Sequence, residues 1–397
     1  MDETGFWGFV KEDIKKGYSL LFENTWPLWL GGIFMAILAL LFFLWNFPWG
    51  VTGGYLNWIE WLGYITNIKE EIPKIKPWLH PISVSNAGML IGALGSALLS
   101  RQFKWQISSA REYFKGIIGG ALLGIGISLA GGCIGGAFYS GVGAFSMGAF
   151  TMMIGLIAGA YIGLKIVLWE INNLAPPKTQ VKNKKTSEGF DWKKIQPILG
   201  ILVFAVAILI FYIYSGKDEV KTGGICFIGV LIGLVMHKSR FCFVRVFRCP
   251  LMTGDAEMVK TVCLSLLIYS AGAAVIKWGY LQPDTMGISH PFGLGTLLGG
   301  LIFGIGMILM GSCGSSALWR IGEGNTKVML GIFCLSVSFY VSRYFLTKFD
   351  LYPLLGKAYL VPQVFGWGLT LPLYALFFLS WVLVANWNEE TEKFVIF

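Results

Sequence analysis

Residues 114–133 read FKGIIGGALLGIGISLAGGC, and residues 294–313 read LGTLLGGLIFGIGMILMGSC. Laid one on the other without gaps, they agree at eight positions: Gly119 with Gly299, Gly120 with Gly300, Gly124 with Gly304, Ile125 with Ile305, Gly126 with Gly306, Leu129 with Leu309, Gly131 with Gly311 and Cys133 with Cys313. Unrelated apolar sequence of this length gives roughly two agreements, so the chain carries an internal repeat. Each copy is about 20 residues long and nearly free of charge, the length of a helix that crosses a bilayer. Gly120 with Gly124, and Gly300 with Gly304, set small residues four apart on one helix face. Such a face lets a neighbouring helix approach closely in lipid, where apolar burial supplies no drive for association.

The rest of the chain has the same character. Of its 397 residues 55% are hydrophobic and 13% charged, with mean hydropathy +0.66, far from the composition of a soluble domain. Ten apolar runs predict spans: 28–45, 86–99, 116–130, 144–167 and 198–214, then 223–236, 259–275, 294–310, 329–345 and 369–384. The expected fold is therefore an all-α integral membrane protein of nine or ten transmembrane helices with added broken or re-entrant helices. Residues 1–27 are mixed in charge, unlike a cleaved secretory leader, and are read as an N-terminal cytoplasmic amphipathic segment. Residues 174–194 are polar, with Pro176, Pro177 and six lysines, and predict a basic cytoplasmic linker. It separates a first transmembrane repeat, 28–173, from a second, 195–397. A ten-span arrangement with both termini cytoplasmic places most Lys and Arg on the inner side. The net charge of +9 is thus a matter of topology, and no nucleic-acid partner is expected. Membrane lipid is the expected surrounding.

The Cys-bearing ends of the repeats carry the candidate chemistry. Gly131, Gly132, Cys133, Ile134, Gly135 and Gly136 close the first copy; Gly311, Ser312, Cys313, Gly314, Ser315 and Ser316 close the second. Runs this small predict helix breaks, which at membrane depth must line a cavity or be buried in protein. A half-helix starting there offers free N–H groups and a positive dipole end to an anion, and Ser312, Ser315 and Ser316 add hydroxyls. A third feature is Lys238–Ser239–Arg240–Phe241–Cys242–Phe243; its first-half counterpart, Ser100–Arg101–Gln102–Phe103, lacks the cysteine. Cysteine pairs a weak S–H donor with a polarizable sulfur, which suits a ligand whose own terminal atom is soft. Arg240 reads as an electrostatic lure for an anion or as an anchor on the positive side. The extra run 259–275 makes an odd number of added spans, so the second Cys motif is expected to be inverted relative to the first. Cys226, Cys249, Cys263 and Cys334 read as packing residues. The seven cysteines form no C-x-x-C pair, His80, His237 and His290 have no ligand spacing, and no phosphate-binding loop occurs, so neither metal nor cofactor is expected. No acid stands out as a buried proton site.

Taken together, GGC in the first half, SRFCF and GSC in the second, and the glycine-rich helix ahead of each G-x-Cys resemble the YeeE/YedE family of bacterial sulfur-compound transporters. The length, the central basic linker and the late SRFCF resemble its longer YedE-type branch, associated with sulfur or selenium metabolism. The resemblance implies an hourglass-like bundle in the inner membrane with a central constriction. It further implies thiosulfate or a related sulfur or selenium oxyanion as substrate, passed by Cys133, Cys242 and Cys313 through transient S–H···S contacts while nearby amides hold its oxygens. A small cytosolic sulfur carrier of the TusA type is an implied partner, for which the Lys-rich linker offers a surface. Gly314 departs from the family, whose members often have Glu there. The chain is read as a transporter and not an enzyme. Two other readings stand beside it: a membrane sulfurtransferase that forms a Cys persulfide, and a small-solute channel in which the cysteines merely pack.

Overall fold

A helix at membrane depth has to be long, because every amide it leaves unpaired faces hydrocarbon. The computed structural model describes residues 12–13, 15–174, 192–279, 281, 286 and 291–396, and among them all regular elements are helical. Ten of its helical segments are long and apolar enough to cross a bilayer, and each falls on one of the ten apolar runs. The chain is a multi-pass membrane protein.

The first half holds α1 (Leu28–Trp45), the shorter α2 (Thr52–Ile65), α3 (Pro81–Leu99), α4 (Ala110–Ala130) and α5 (Gly148–Asn173). The second holds α6 (Trp192–Ser215), α7 (Val220–Lys238), the short α8 (Phe243–Met252), α9 (Glu257–Trp278), α10 (Leu294–Met310), the short α11 (Gly314–Gly322), α12 (Thr326–Lys348) and α13 (Trp367–Thr391). Residues 192–194 of the expected linker belong to α6, and 175–191 lie outside the described residues. Helix starts follow capping chemistry: Ser109 Oγ accepts from the Glu112 amide ahead of α4, and Asn325 Oδ1 from the Val328 amide ahead of α12.

The repeat glycines set the packing. A Cβ on Gly126 would lie 2.8 Å from the Gly299 carbonyl oxygen, and one on Gly299 would lie 2.9 Å from the Gly126 oxygen. Gly119 and Gly306 meet in the same reciprocal way, each 2.8 Å from the other's oxygen. Residue 119 therefore faces 306 while 126 faces 299, so α4 and α10 run antiparallel. Since 119 corresponds to 299 and 126 to 306 in the repeat, the contact is related to itself by exchange of the two copies. The inversion expected from the extra span α9 is present. Gly120 and Gly124, on the adjoining face of α4, meet Gly331 and Leu335 of α12; Gly300 and Gly304, their counterparts on α10, meet Met152 and Gly159 of α5. The small-residue faces are thus close helix contacts, as expected.

The other repeat pair is parallel. Gly88 and Gly92 of α3 abut Cys226 and Val230 of α7, and Gly229 and Gly233 abut Ser85 and Met89. Both helices end in the same way: Ser100 and Ser239 bond back four residues, and Arg101 and Arg240 follow with φ of 56° and 55°. The next amide, of Gln102 or Phe241, returns to the carbonyl of Ala97 or Met236. The short segment before α1 lies across these ends, Tyr18 donating to the Leu99 carbonyl, the Lys238 ammonium donating to the Phe22 carbonyl at 2.6 Å, and the Trp26 amide donating to the Lys238 carbonyl at 2.9 Å.

Gly299→Ala is expected to lower the unfolding temperature in detergent, because its methyl would meet the Ala130 amide at 2.5 Å, and overpacking of this kind costs about 1–3 kcal/mol. Gly368→Ala, with nothing within 4 Å of the added carbon, should leave it unchanged.

Candidate functional site

Helix α4 stops because Gly131 takes φ of 77°, a left-handed cap that a glycine adopts without Cβ strain. Cys133 is extended and starts a seven-residue π-helical turn, Ile134–Ser140, which leads toward α5. The second copy repeats the device: Gly311 has φ of 75°, and Cys313 is extended and caps α11. The two breaks enter from opposite ends of the bundle and meet inside it. Cys133 Sγ is 4.0 Å from Ser315 Oγ, and a Cβ on Gly314 would lie 3.8 Å from Cys133 Cβ. A Cβ on Gly135 would be 2.4 Å from Ser315 Oγ and 3.1 Å from the Trp49 ring. Only a residue without a side chain allows the first break to come this near the second.

Tyr55, fully buried, donates from its hydroxyl to the Gly314 carbonyl at 2.6 Å and ties α2 to the second break. Cys313 lies within electrostatic reach of both Cys133 and Cys242. Cys242 starts α8 as Cys313 starts α11, extended with φ of −149°, and the ring of its neighbour Phe243 packs on Tyr139 at 5.1 Å. Three of the seven cysteines thus gather where the breaks meet, each beside a helix start, and all are shut from solvent at 0%, 1% and 0% exposure for Cys133, Cys242 and Cys313. We refer to this place as the waist.

At the second break Cys313 and Ser316 form a capping box that engages two of the amides there. The Ser316 amide points to Cys313 Sγ at 3.5 Å, the Cys313 amide donates to Ser316 Oγ at 3.0 Å, and Ser312 Oγ is 3.0 Å from Ser316 Oγ. Ser312 and Ser316 hold the break together; Ser315 is the serine turned to the other half. The thiol of Cys313 is itself the cap, so a ligand that engages it takes the place of, or adds to, a local bond.

The remaining site residues flank the waist. Gly132 and Gly136 line a cavity of about 300 Å³ with Trp49, Gly50, Thr52 and Gly131. This mouth lies at the end of α4, away from the ends of α3 and α7. Arg240 lies at those ends and is not at the waist. Its guanidinium pairs with the Glu323 carboxylate, donates to Gln102 Oε1 at 2.6 Å and covers the Trp319 ring at 5.5 Å. Its side chain is one-third exposed, at 33%.

The reading of the sequence missed four residues. Trp49 and Tyr55 wall the waist, yet aromatic residues near span ends look like interface anchors. Glu323 is only 8% exposed and His237 1%, with His237 Nε2 at 3.1 Å from Glu323 Oε1. Glu323 is a buried acid that does not stand out in the sequence, because its IGEGN context reads as an exposed loop.

Cys133, Cys242 and Cys313 should resist a membrane-permeant maleimide in the native protein and label fully after denaturation, scored by mass spectrometry of the peptides. Rapid native labelling of any of them contradicts the closed waist.

The sequence can now be placed among known proteins. A family model described as sulphur transport matches residues 10–162 and again 238–395, one match in each half. The probable transporter YedE of Escherichia coli K12 is 27% identical over 289 residues, 70% of each chain. The thiosulfate transporter TsuA of the same organism is 33% identical over 125 residues, 31% of this chain and 34% of that one. A thiosulfate transporter TsuA of Spirochaeta thermophila is 28% identical over 120 residues, 29% of this chain and 34% of its own. With the matched regions covering well over half of its length and taking in Cys133, Cys242 and Cys313, this chain belongs to the sulphur transport family.

Proposed function

We propose that the protein is a bacterial inner-membrane importer of thiosulfate, or of a sulfur or selenium oxyanion of the same shape, and that Cys133, Cys242 and Cys313 form its path. The observation that carries this reading is the convergence of three thiols at one waist, two of them at equivalent positions of an inverted repeat. A dianion with hard oxygens and one soft terminal atom fits such a place better than sulfate does. Its terminal sulfur accepts from successive S–H groups, each a weak donor. No contact is then tight enough to hold the ion, and weak multi-site binding is what conduction requires. The relatives named as thiosulfate transporters support the substrate class.

In this reading the mouth lined by Gly132 and Gly136 admits the ion from outside, and Cys133 receives it. Ser315, turned toward Cys133 at 4.0 Å, serves the sulfonate oxygens. The thiol of Cys313 turns its S–H from Ser316 Oγ, 3.2 Å away, to the ion, while its sulfur goes on accepting from the Ser316 amide. Cys242 takes the ion on the side that leads to Arg240. The side bearing the Arg240 cluster and both described chain ends is cytoplasmic, in keeping with the Lys and Arg distribution.

The test is growth of a sulfate-uptake-deficient bacterium on thiosulfate as sole sulfur source. The intact chain should restore growth, and Cys133→Ala, Cys242→Ala and Cys313→Ala should each fail to do so when inserted at equal levels. Cys226→Ala, buried in the α3–α7 contact away from the waist, should restore it. Growth with all three waist cysteines replaced would refute a thiol path.

A further inference from the structure

Ionisable groups inside a membrane protein are costly and are retained where they move ions or protons. Outside the waist, one buried group of them is built on His237 of α7 and Glu323, which follows α11. His237 Nδ1 is 2.8 Å from Ser96 Oγ of α3, and its Nε2 is 3.1 Å from Glu323 Oε1. Glu323 also pairs with Arg240, which holds Gln102. The loop carrying Glu323 is fixed by the first half: the Lys104 amide donates to the Glu323 carbonyl at 3.2 Å and the Gln106 amide to the Gly324 carbonyl at 2.9 Å. Both repeats therefore contribute to the cluster, and its Arg240 stands two residues before Cys242 in the chain.

The charged groups facing His237 are few. From α7 and its end come Lys238 and Arg240; from α11 and its end come Arg320, set against the Trp319 ring at 5.4 Å, and Glu323. Lys238 is held by the Phe22 carbonyl and by Ser100 Oγ. From α3 come Ser96 and Ser100, with Arg101 beyond them directed to Glu23 at 3.8 Å. Among the described residues Glu323 is the one carboxylate in contact with the imidazole. The ring has partners in either protonation state: the Ser96 hydroxyl donates to Nδ1 when the ring is neutral and accepts from it when the ring is charged. A proton can be taken up or released at Nδ1 by a rotation of one hydroxyl.

We propose that His237 and Glu323 form a proton-binding site that couples proton movement to anion passage, making the protein a proton–anion symporter. The inference rests on the anion-transport reading above. An anion leaving Cys242 meets Arg240, two residues away in the chain, and competes with Glu323 for it. As Arg240 turns to the anion, the Glu323 carboxylate keeps His237 as its remaining partner, and the imidazolium form is favoured. Binding of the anion at Arg240 and of a proton at His237 therefore strengthen each other, and the coupling is reciprocal. When the anion departs, Arg240 returns to the Glu323 oxygen that His237 also contacts, its positive charge again opposes that of the ring, and the proton leaves on the same side.

The experiment uses the whole protein in proteoliposomes, with radiolabelled thiosulfate outside, a pH-sensitive dye inside and the membrane voltage clamped. Acid outside should drive thiosulfate accumulation, tending to about tenfold per pH unit for each coupled proton, and thiosulfate added at equal pH should acidify the interior. The ratio of uptake with the gradient to uptake without it does not depend on how much protein is active. In His237→Gln this ratio should fall to one and the acidification should vanish. If the intact protein exchanges labelled for unlabelled thiosulfate yet shows neither gradient response, the coupling is wrong and the transport reading stands. If His237→Gln keeps the full ratio, the proton site is wrongly placed. If the intact protein exchanges no thiosulfate at all, the transport reading fails and this inference falls with it.

Discussion

Hydrocarbon offers no partner to a backbone amide, and that constraint organises the protein. Each half breaks a helix within the bundle, at Gly131–Cys133 and Gly311–Cys313, and each break would be untenable facing lipid. The structure buries them against each other. To bring them together the helices that carry them must nearly touch, which is why Gly119, Gly126, Gly299 and Gly306 place backbone against backbone along the antiparallel α4–α10 contact. The inverted orientation of the repeats then follows as a requirement: two breaks entering from the same end would lie side by side at one surface, whereas two from opposite ends share one interior point.

The same constraint accounts for the chemistry of the breaks. A helix start exposes amides that need acceptors, and at the second break a cysteine sulfur and a serine hydroxyl fill that role. The thiol is a weak acceptor, so the cap is easily exchanged. A stronger cap such as aspartate would satisfy the amide better and would place a fixed negative charge against an incoming anion. The pairing of Cys313 with Ser316 thus satisfies the break without a fixed negative charge, in keeping with the proposed passage of an anion. At the ends of α3 and α7 charge is balanced by Arg240 against Glu323 with His237 alongside.

Much of this was legible in the chain itself. The ten spans follow from uncharged length, and Leu294–Met310 agrees with its apolar run residue for residue. The repeat and its two cysteines, Cys133 and Cys313, stand out because glycine spacing and the G-x-Cys ending are local features. Helix α2 was not legible, since Asn57 and Glu60 interrupt a stretch already too short to span. Nor was α8, where Arg245 and Arg248 break the apolar pattern. The use of Ser312 and Ser316 as internal caps is a matter of dihedral angles that composition does not reveal. Glu323 is buried only because residues 104–106 fold over it from more than 200 positions away, a pairing typified by Asn325 with Gln106. Long-range placement of that kind leaves no mark in a single sequence.

The central claim is that soft-atom contact at the waist defines the path. The most direct measurement is anomalous diffraction from crystals of the protein soaked with selenosulfate, in which selenium replaces the terminal sulfur of thiosulfate. The account predicts a selenium peak within contact distance of Cys133, Cys242 or Cys313 Sγ, with the oxygens turned toward Ser315. Selenium found only beside Arg240, or only in the mouth lined by Gly132 and Gly136 with its oxygens facing the thiols, would contradict it.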